Sequence, residues 1–310
     1  MEQINYGMSA PHKKGSMTTA KMMLCVILAL IPAGIYGVWR YGQNAGKVIL
    51  LTSISAVITE FLFEKLTKRP VNVKDCRSLL TGLIMSYCLP PTVEWYVAVT
   101  AGVICALIMQ LSFHFFYRNV VSPVILTRLI LMPIFTQQMS VYVLDGLTMA
   151  TPMAVLKENG TVDTLSMILG NTGGCIGESS TILLCAGAIF LIMMGIIDFR
   201  VSGMYLFSFA AFMVVFGGQG LSSYYLTAHL AGGGFMIALW FIAPAYSSLP
   251  ITKSGRLLYG TLLGILTGVF RLFGTSAENL CYAILIANFC VPLIEKITIR
   301  RPFGVEKGQL

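Results

Sequence analysis

The chain has 310 residues, of which 56% are hydrophobic and only 11% are charged, and its formal net charge at pH 7 is +8. A soluble globular domain carries about a quarter charged residues, so this composition excludes a water-soluble fold and is typical of a protein whose solvent is the bilayer. The basic residues are dispersed between apolar runs, which indicates charges that orient membrane spans and argues against a nucleic-acid-binding surface.

The first predicted element is a spanning helix that follows a short polar tail. Residues 1–17 form the tail and contain Lys13 and Lys14, and the apolar run after them extends over about 20 residues. That run is too long for the core of a signal peptide and has no clear A-x-A cleavage site. We therefore expect it to remain in the protein as the first span.

Ten apolar segments follow one another along the chain, and several of them are broken or shorter than the roughly 20 residues that a membrane helix needs. The predicted spans are 18–39, 47–66, 77–90, 94–116, 122–137, 180–198, 203–217, 226–243, 255–273 and 278–296. With the N-terminus inside, the cytoplasmic segments carry 16 of the 21 Lys and Arg residues, as the positive-inside rule requires. The pattern predicts an all-α integral protein of the plasma membrane with both termini cytoplasmic.

The ten segments divide into two sets of five, residues 18–137 and residues 180–296, and a cytoplasmic tail follows at 297–310. Each set contains a glycine-bearing, interrupted segment in the corresponding place, at 80–85 and at 231–236. Five helices per set insert the two sets in opposite orientations, which predicts an inverted repeat with some helices broken. Paired broken helices often line a central site, and the alternative is that these glycines only aid helix packing.

Neither the cysteines nor the histidines are spaced as metal ligands. The eight cysteines include no C-x-x-C pair, and most of them lie inside apolar runs. His114 and His229 have no second ligand three or four residues away, so we interpret them as ordinary helix residues. We expect no disulfide framework and no cysteine-ligated iron–sulfur cluster within this chain alone.

Residues 138–179 form the one long segment between predicted spans, and the predicted topology places them on the outer face. The segment is polar and rich in Gly and Thr, and long loops in compact proteins are often functional. Its residues 145–151 read Asp-Gly-Leu-Thr-Met-Ala-Thr and resemble the flavinylation motif D-x-x-[ST]-G-A-T of Rnf and related quinone-reductase subunits. Where the motif has Gly, this chain has Met149, and the alternative interpretation is an ordinary threonine in a turn.

In that family a flavin transferase joins the phosphate of FMN to the hydroxyl of the last threonine of the motif. The resemblance therefore implies a phosphothreonine linkage to FMN at Thr151, with Asp145, Thr148 and Ala150 as the rest of the motif. Such an acceptor hydroxyl must be accessible in a loop, and Pro152 restricts the backbone beside it.

Two further motifs resemble the same family. Residues 173–180 read Gly-Gly-Cys-Ile-Gly-Glu-Ser-Ser, and the resemblance makes Gly173, Gly174, Glu178 and Ser179 candidates for holding flavin phosphate or ring carbonyls. The alternative is a simple helix cap, for which Ser179 and Ser180 are suited, with Glu178 near the positive end of the helix.

Arg128 lies within an apolar span, six residues after Ser122 in a pattern that resembles N-P-x-x-x-x-R of the family. A buried charge there is costly unless it meets a partner, so Arg128 is a candidate for pairing with phosphate or a reduced flavin. The alternative is a structural ion pair with Glu60 or Glu64.

The C-terminal helices extend the resemblance over essentially the whole chain. Residues 229–236, 255–260 and 278–295 read like the last three helices of the family to which the D subunit of Rnf and the B subunit of the Na+-translocating NADH:quinone reductase belong. One departure is Ala245, where the family commonly has Asp.

The resemblance implies a membrane subunit of a complex that passes electrons between reduced ferredoxin and NAD and couples this to Na+ or H+ movement. The chain would relay electrons through the covalent FMN, and related complexes hold a second, non-covalent riboflavin to which no motif here is tied. The implied partners are the other membrane, flavin-bearing and iron–sulfur subunits and the flavin transferase. The alternatives are a urea-channel-like solute channel, whose architecture has a similar helix pattern, and a scaffold subunit without flavin.

Overall fold

The computed structural model describes residues 18–68, 75–116, 121–144, 147–148, 151–157, 162–178, 180–218, 220–246, 248–274 and 278–298. Within these ranges the regular secondary structure is helical apart from one hairpin of two-residue strands, so the predicted all-α class is confirmed. The predicted N-terminal tail at 1–17, residues 299–310 of the predicted C-terminal tail at 297–310, and the candidates Asp145, Ala150 and Ser179 lie outside the described residues.

The first half of the chain contains five helices of unequal length. They are α1 (Thr19–Tyr41), α2 (Gln43–Leu66), α3 (Arg77–Tyr87), α4 (Trp95–Phe116) and α5 (Pro123–Ile134).

We call residues 138–179, which the sequence predicts to lie on the outer face, the outer segment, and this part of the chain has short elements of its own. They are α6 (Thr136–Met139), β1 (Val143–Leu144), β2 (Leu147–Thr148), α7 (Pro152–Lys157), α8 (Thr164–Leu169) and a 3-10 turn at Ile176–Glu178. The strands β1 and β2 pair in antiparallel fashion, with Val143 opposite Thr148.

The second half of the chain contains helices with one clear break among them. Its elements are α9 (Thr181–Met193), α10 (Phe199–Phe216), α11 (Ser223–Ala231), α12 (Phe235–Ile237), a π-helical turn at Ala238–Ile242, α13 (Lys253–Phe273) and α14 (Asn279–Thr298).

Six of the described helices, α1, α2, α4, α10, α13 and α14, are long and apolar enough to cross a membrane, and α11 with the helix after it forms a seventh if the bent pair is one span. The molecule is therefore a multi-pass membrane protein. The predicted spans around α3, α5 and α9 hold helices of 11, 12 and 13 residues, which at 1.5 Å per residue are too short to cross alone a hydrocarbon core of about 30 Å.

Side-chain caps fix the first turn of several helices, α9, α10 and α13 among them. Ser180 caps α9 by accepting from the amide of Leu183, and Asp198 and Thr252 cap α10 and α13 in the same way. Each cap satisfies an amide that would otherwise lack a partner at the helix end. Ser180 thus has the capping role that its sequence position suggested.

The most extensive packing among the described helices is that of α2 against α4 and of α10 against α13. A Cβ built on Gly102 of α4 would lie 2.4 Å from the carbonyl oxygen of Thr52, and one on Gly264 of α13 would lie 2.8 Å from that of Tyr205. Ser55 and Ser208 face the same two glycines at corresponding places. Glycine is needed at both crossings because any side chain would push the backbones apart.

The predicted interruption in the second half is confirmed. The helix axis bends by 68° between α11 and the segment that follows, where Gly233 and Gly234 both have φ of +66°. In the first half, by contrast, α3 continues through Gly82, whose hydrogen faces Ala56 and Ser53 of α2. Gly82 therefore serves packing, the alternative that the sequence left open, and the helix ends near Pro90.

Candidate cofactor site

A cavity of about 370 Å³ lies where α5, the end of α3, the break between α11 and α12 and the start of α14 meet the outer segment. Residues of both halves of the chain line it. Its polar and ionisable lining residues are Tyr87, Cys88, Arg128, Ser140, Tyr142, Thr151, Cys175, Glu178, Arg271, Glu278, Asn279 and Cys281.

Arg128 is held in the cavity wall by a two-point ion pair with Glu278. Its Nε donates to Glu278 Oε2 at 2.6 Å, its second terminal nitrogen donates to Oε1 at 2.9 Å, and the remaining one donates to the carbonyl oxygen of Cys88 at 2.6 Å. Burial raises the pKa of Glu278, but the charge and hydrogen bonds of Arg128 outweigh it and hold that pKa below its ordinary value. Glu278 therefore stays ionised.

The suggested pairing of Arg128 with Glu60 or Glu64 is wrong. Glu60 on α2 instead accepts a hydrogen bond from Gln110 of α4 at 3.1 Å. The helix that carries Arg128 packs against α14, and this contact brings the carboxylate at the start of α14 within reach.

Arg271, in the last turn of α13, binds the backbone at the end of α11, where the helix breaks. Its guanidinium donates to the carbonyl oxygens of His229 and Gly232, the latter at 2.7 Å. It lies 5.4 Å from the ring centres of both Phe209 and Phe235. The last carbonyls of a helix lack amide partners, so Arg271 satisfies groups that the glycine break leaves open inside the protein.

Glu178 ends the 3-10 turn, which the amide of Ile176 ties to the carbonyl oxygen of Leu89 at 3.0 Å. A Cβ built on Gly174 would lie 2.4 Å from Glu178 Oε2, and one on Gly234 would lie 3.3 Å from Oε1. Two glycines from separate segments thus leave room for this carboxylate. Its burial raises the pKa of Glu178, against the lowering effect of the Arg128 and Arg271 charges.

Thr151 lines the same cavity from the outer segment. Its hydroxyl accepts from the amide of Ala154 at 3.4 Å and so caps α7, with Pro152 in the first helical position. Two residues on, Met153 packs against Gly232 and Gly233 at the helix break. This contact fixes Thr151 next to the charged part of the cavity.

The structure brings three sequence-predicted residues, Thr151, Arg128 and Glu178, into one cavity. Gly174 is buried beside Glu178, and Gly173 is buried next to it without lining the cavity. The backbone of Thr148 lies in β2, and its side chain is outside the described part of the chain.

Sequence reasoning missed Arg271, Glu278 and Tyr142 as members of the site. Arg271 lies near the end of the predicted span 255–273, and Glu278 is one residue of the C-terminal segment that carries the resemblance. The requirement that a charge inside a membrane protein have a partner could have identified Arg271 and Glu278.

Three thiols surround the charged groups: Cys88, Cys175 and Cys281 are buried and free. Burial raises the pKa of Cys175 to about 12, so it remains a neutral thiol. Among the described residues no cluster of three or more His, Cys, Asp or Glu side chains is arranged to hold a metal ion.

The chain matches the model of the NQR2, RnfD, RnfE family over residues 7–304. It is 33% identical to the D subunit of the Na+-translocating ferredoxin:NAD+ oxidoreductase complex of Acetobacterium woodii, covering 99% of this chain and 98% of that one. It is 32% identical to the D subunit of the proton-translocating ferredoxin:NAD+ oxidoreductase complex of Clostridium ljungdahlii, covering 96% of both chains. It is 27% identical to the D subunit of the ion-translocating oxidoreductase complex of Aeromonas salmonicida, covering 96% of this chain and 98% of that one.

Proposed function

Because the chain belongs to the NQR2, RnfD, RnfE family, we propose that it is the D subunit of an ion-translocating ferredoxin:NAD+ oxidoreductase complex of the Rnf type. In this role it relays electrons through FMN bonded to Thr151, and it contributes to Na+ or H+ translocation. The active site for NAD lies on other subunits, since no G-x-G-x-x-G segment occurs in this chain.

The observation that carries the flavin proposal is the position of Thr151. A threonine picked out by a flavinylation-like motif lies on the wall of a cavity whose other walls hold two arginines, Arg128 and Arg271. The volume of about 370 Å³ lies in the range of small-molecule sites. A phosphoester carries negative charge, which fits a wall with fixed positive groups.

The side chains around the cavity have different roles in holding the FMN phosphoester. Glu278 fixes Arg128, and the carbonyls of the helix break fix Arg271, so both positive charges are held in place before any ligand arrives. The apolar wall contributed by Ile125, Met132 and Ile237 excludes water from one side. FMN, once attached, supplies the redox chemistry, and the protein supplies position and electrostatics.

The proposal includes ten membrane segments in two five-helix inverted repeats, with both termini cytoplasmic and Thr151 on the outer face. The matching glycine contacts at Gly102 and Gly264 support the repeat. The partners are the other membrane, flavin-bearing and iron–sulfur subunits, together with the flavin transferase. A non-covalent riboflavin elsewhere in the complex belongs to the proposal, and no residue of this chain is assigned to it.

Intact-protein mass spectrometry of the chain from its native membrane, with in-gel flavin fluorescence, tests the attachment. We expect a mass increase of FMN minus water that is lost in Thr151→Ala. Ser140→Ala is the matched control, since it removes a hydroxyl from the same cavity and should leave the added mass unchanged.

An unmodified mass in cells that flavinylate their other subunits would overturn the covalent FMN. Met149, in the place of the motif glycine, would then be the first residue to exchange. That result would favour the scaffold subunit without flavin or the solute channel.

A further inference from the structure

Two carboxylates line the cavity within the described residues, and they are held in different ways. Glu278 is bound at two points by Arg128 and kept ionised. Glu178 receives no hydrogen bond from any side chain in the part of the chain that the structure describes, and only the backbone of Cys175 contacts its carboxylate as a hydrogen-bond partner. One acid is therefore locked as a counter-charge, and the other is available to change its protonation state.

The position of Glu178 is built into the fold. The 3-10 turn that carries it is tied to the end of α3, and Gly177 fits where a Cβ would lie 2.8 Å from both Tyr87 and Ile237. The room beside Gly174 and Gly234 holds the carboxylate at the cavity. A solvent-exposed capping glutamate would need no such space, so this arrangement indicates a site for the carboxylate itself.

The charged and titratable groups that face Glu178 come from several elements. They are Arg128 of α5, Arg271 of α13, Glu278 before α14, Cys175 of its own segment, Tyr41 at the end of α1, Cys88 after α3 and Tyr142 after α6. Arg128 and Arg271 stay charged, since guanidinium does not titrate in the accessible range. Burial raises the pKa of Tyr142 and of Cys175, so both stay neutral. Glu178, whose pKa burial raises, is the facing acid that can take up a proton at a higher pH than an ordinary glutamate.

We propose that Glu178 is the proton-binding residue of this site, taking up one proton when an electron enters the cavity and releasing it when the electron leaves. The proton adds to a carboxylate oxygen and comes from water on the outer side, and no bond of the protein breaks. The electron comes from reduced ferredoxin through the proposed complex, so the added negative charge is balanced by one positive charge. This inference rests on the proposed FMN at Thr151.

The test is a spectroelectrochemical titration of the flavin in the purified complex across a range of pH. In the wild type we expect the midpoint potential to fall as pH rises, with a change of slope where Glu178 titrates. In Glu178→Gln that change of slope is lost, and in Glu178→Asp it is retained. Asp163→Asn is the matched control, an exposed acid on the same face whose change should leave the pH profile as in the wild type.

A second readout is the redox-difference infrared spectrum, which should show a carboxyl C=O band in the wild type and lack it in Glu178→Gln. The proposal is overturned if flavin-loaded Glu178→Gln keeps both the wild-type pH profile and the band. Mass spectrometry of each variant comes first, because absence of FMN from the wild type as well would overturn the proposed function together with this inference.

Gly174→Ala gives an independent variant if Glu178→Gln fails to assemble. Its Cβ would displace the carboxylate while leaving the acid in the chain. We expect a shift in the pH at which the slope of the midpoint potential changes. If Gly174→Ala carries FMN and its pH profile is unshifted, Glu178 is not the proton-binding residue.

Discussion

At the scale of single residues, the two arginines of the cavity bind different kinds of partner. Arg128 binds a carboxylate, whereas Arg271 binds backbone carbonyls and two aromatic faces. The sequence identified Arg128 because a charge inside an apolar run is exceptional. It could not identify Glu278 as the partner, because the two residues are 150 positions apart and only the packing of α5 on α14 joins them.

The Arg128–Glu278 pair yields a prediction about stability. In Arg128→Ala the side chain of Glu278, 3% exposed, remains buried without its partner. We expect a loss of about 3–5 kcal/mol in the free energy of unfolding, measured by thermal or denaturant unfolding in lipid nanodiscs.

The double variant Arg128→Met with Glu278→Met separates the contribution of the buried charge to stability from that of side-chain packing. Replacing both partners by apolar side chains of similar size removes the uncompensated charge, so stability should recover most of the loss. If Arg128→Ala unfolds like the wild type, the ion pair is not a structural element of the folded chain.

At the scale of elements, glycine positions decide where helices approach and where they break. Gly233 and Gly234 permit the sharp bend after α11, and a sequence of three consecutive glycines was sufficient to predict it. Gly82 also suggested an interrupted helix, but no break occurs there. Its hydrogen instead faces Ala56 and the backbone of α2, so this glycine allows the two helices to pack closely. A glycine at a crossing and a glycine at a break look alike in a single sequence, and only the neighbouring helix distinguishes them.

The crossing of α10 and α13 can be tested with one methyl group. A Cβ at Gly264 would lie 2.6 Å from the amide nitrogen of Phe209, a backbone atom that cannot rotate away. We expect Gly264→Ala to cost about 1–3 kcal/mol in the free energy of unfolding. The measurement is thermal unfolding in the same nanodiscs.

Gly46→Ala on α2 is the matched control. Its Cβ would meet only Val38 side-chain atoms, at 3.5 Å and beyond, so the change should be neutral or slightly stabilising, as alanine favours a helix. If Gly264→Ala and Gly46→Ala change the free energy of unfolding equally, the loss comes from replacing a glycine in a helix and not from the close crossing.

At the scale of the whole molecule, composition and apolar runs were sufficient to predict the class, because only helices satisfy their own backbone in lipid. The order of the helices also followed from the sequence. The lengths of α3, α5 and α9 did not, because an apolar run shows which residues avoid water and not where the helix begins and ends. The cavity was beyond prediction for a related reason: its wall is assembled from both halves and the outer segment.

The proposed orientation is tested with cysteine labelling on the two faces. Leu165 on α8 is 67% exposed and should lie outside, and Tyr246 before α13 is 81% exposed and should lie inside. We expect a membrane-impermeant maleimide to label Leu165→Cys in intact cells and to label Tyr246→Cys only after permeabilisation. The chain without added cysteine gives the background, since its described native thiols are buried or half-buried. The reverse pattern would place Thr151 in the cytoplasm. Labelling of both from outside would require an even number of crossings between them, so that α9, α10 and the bent pair could not each cross the membrane once.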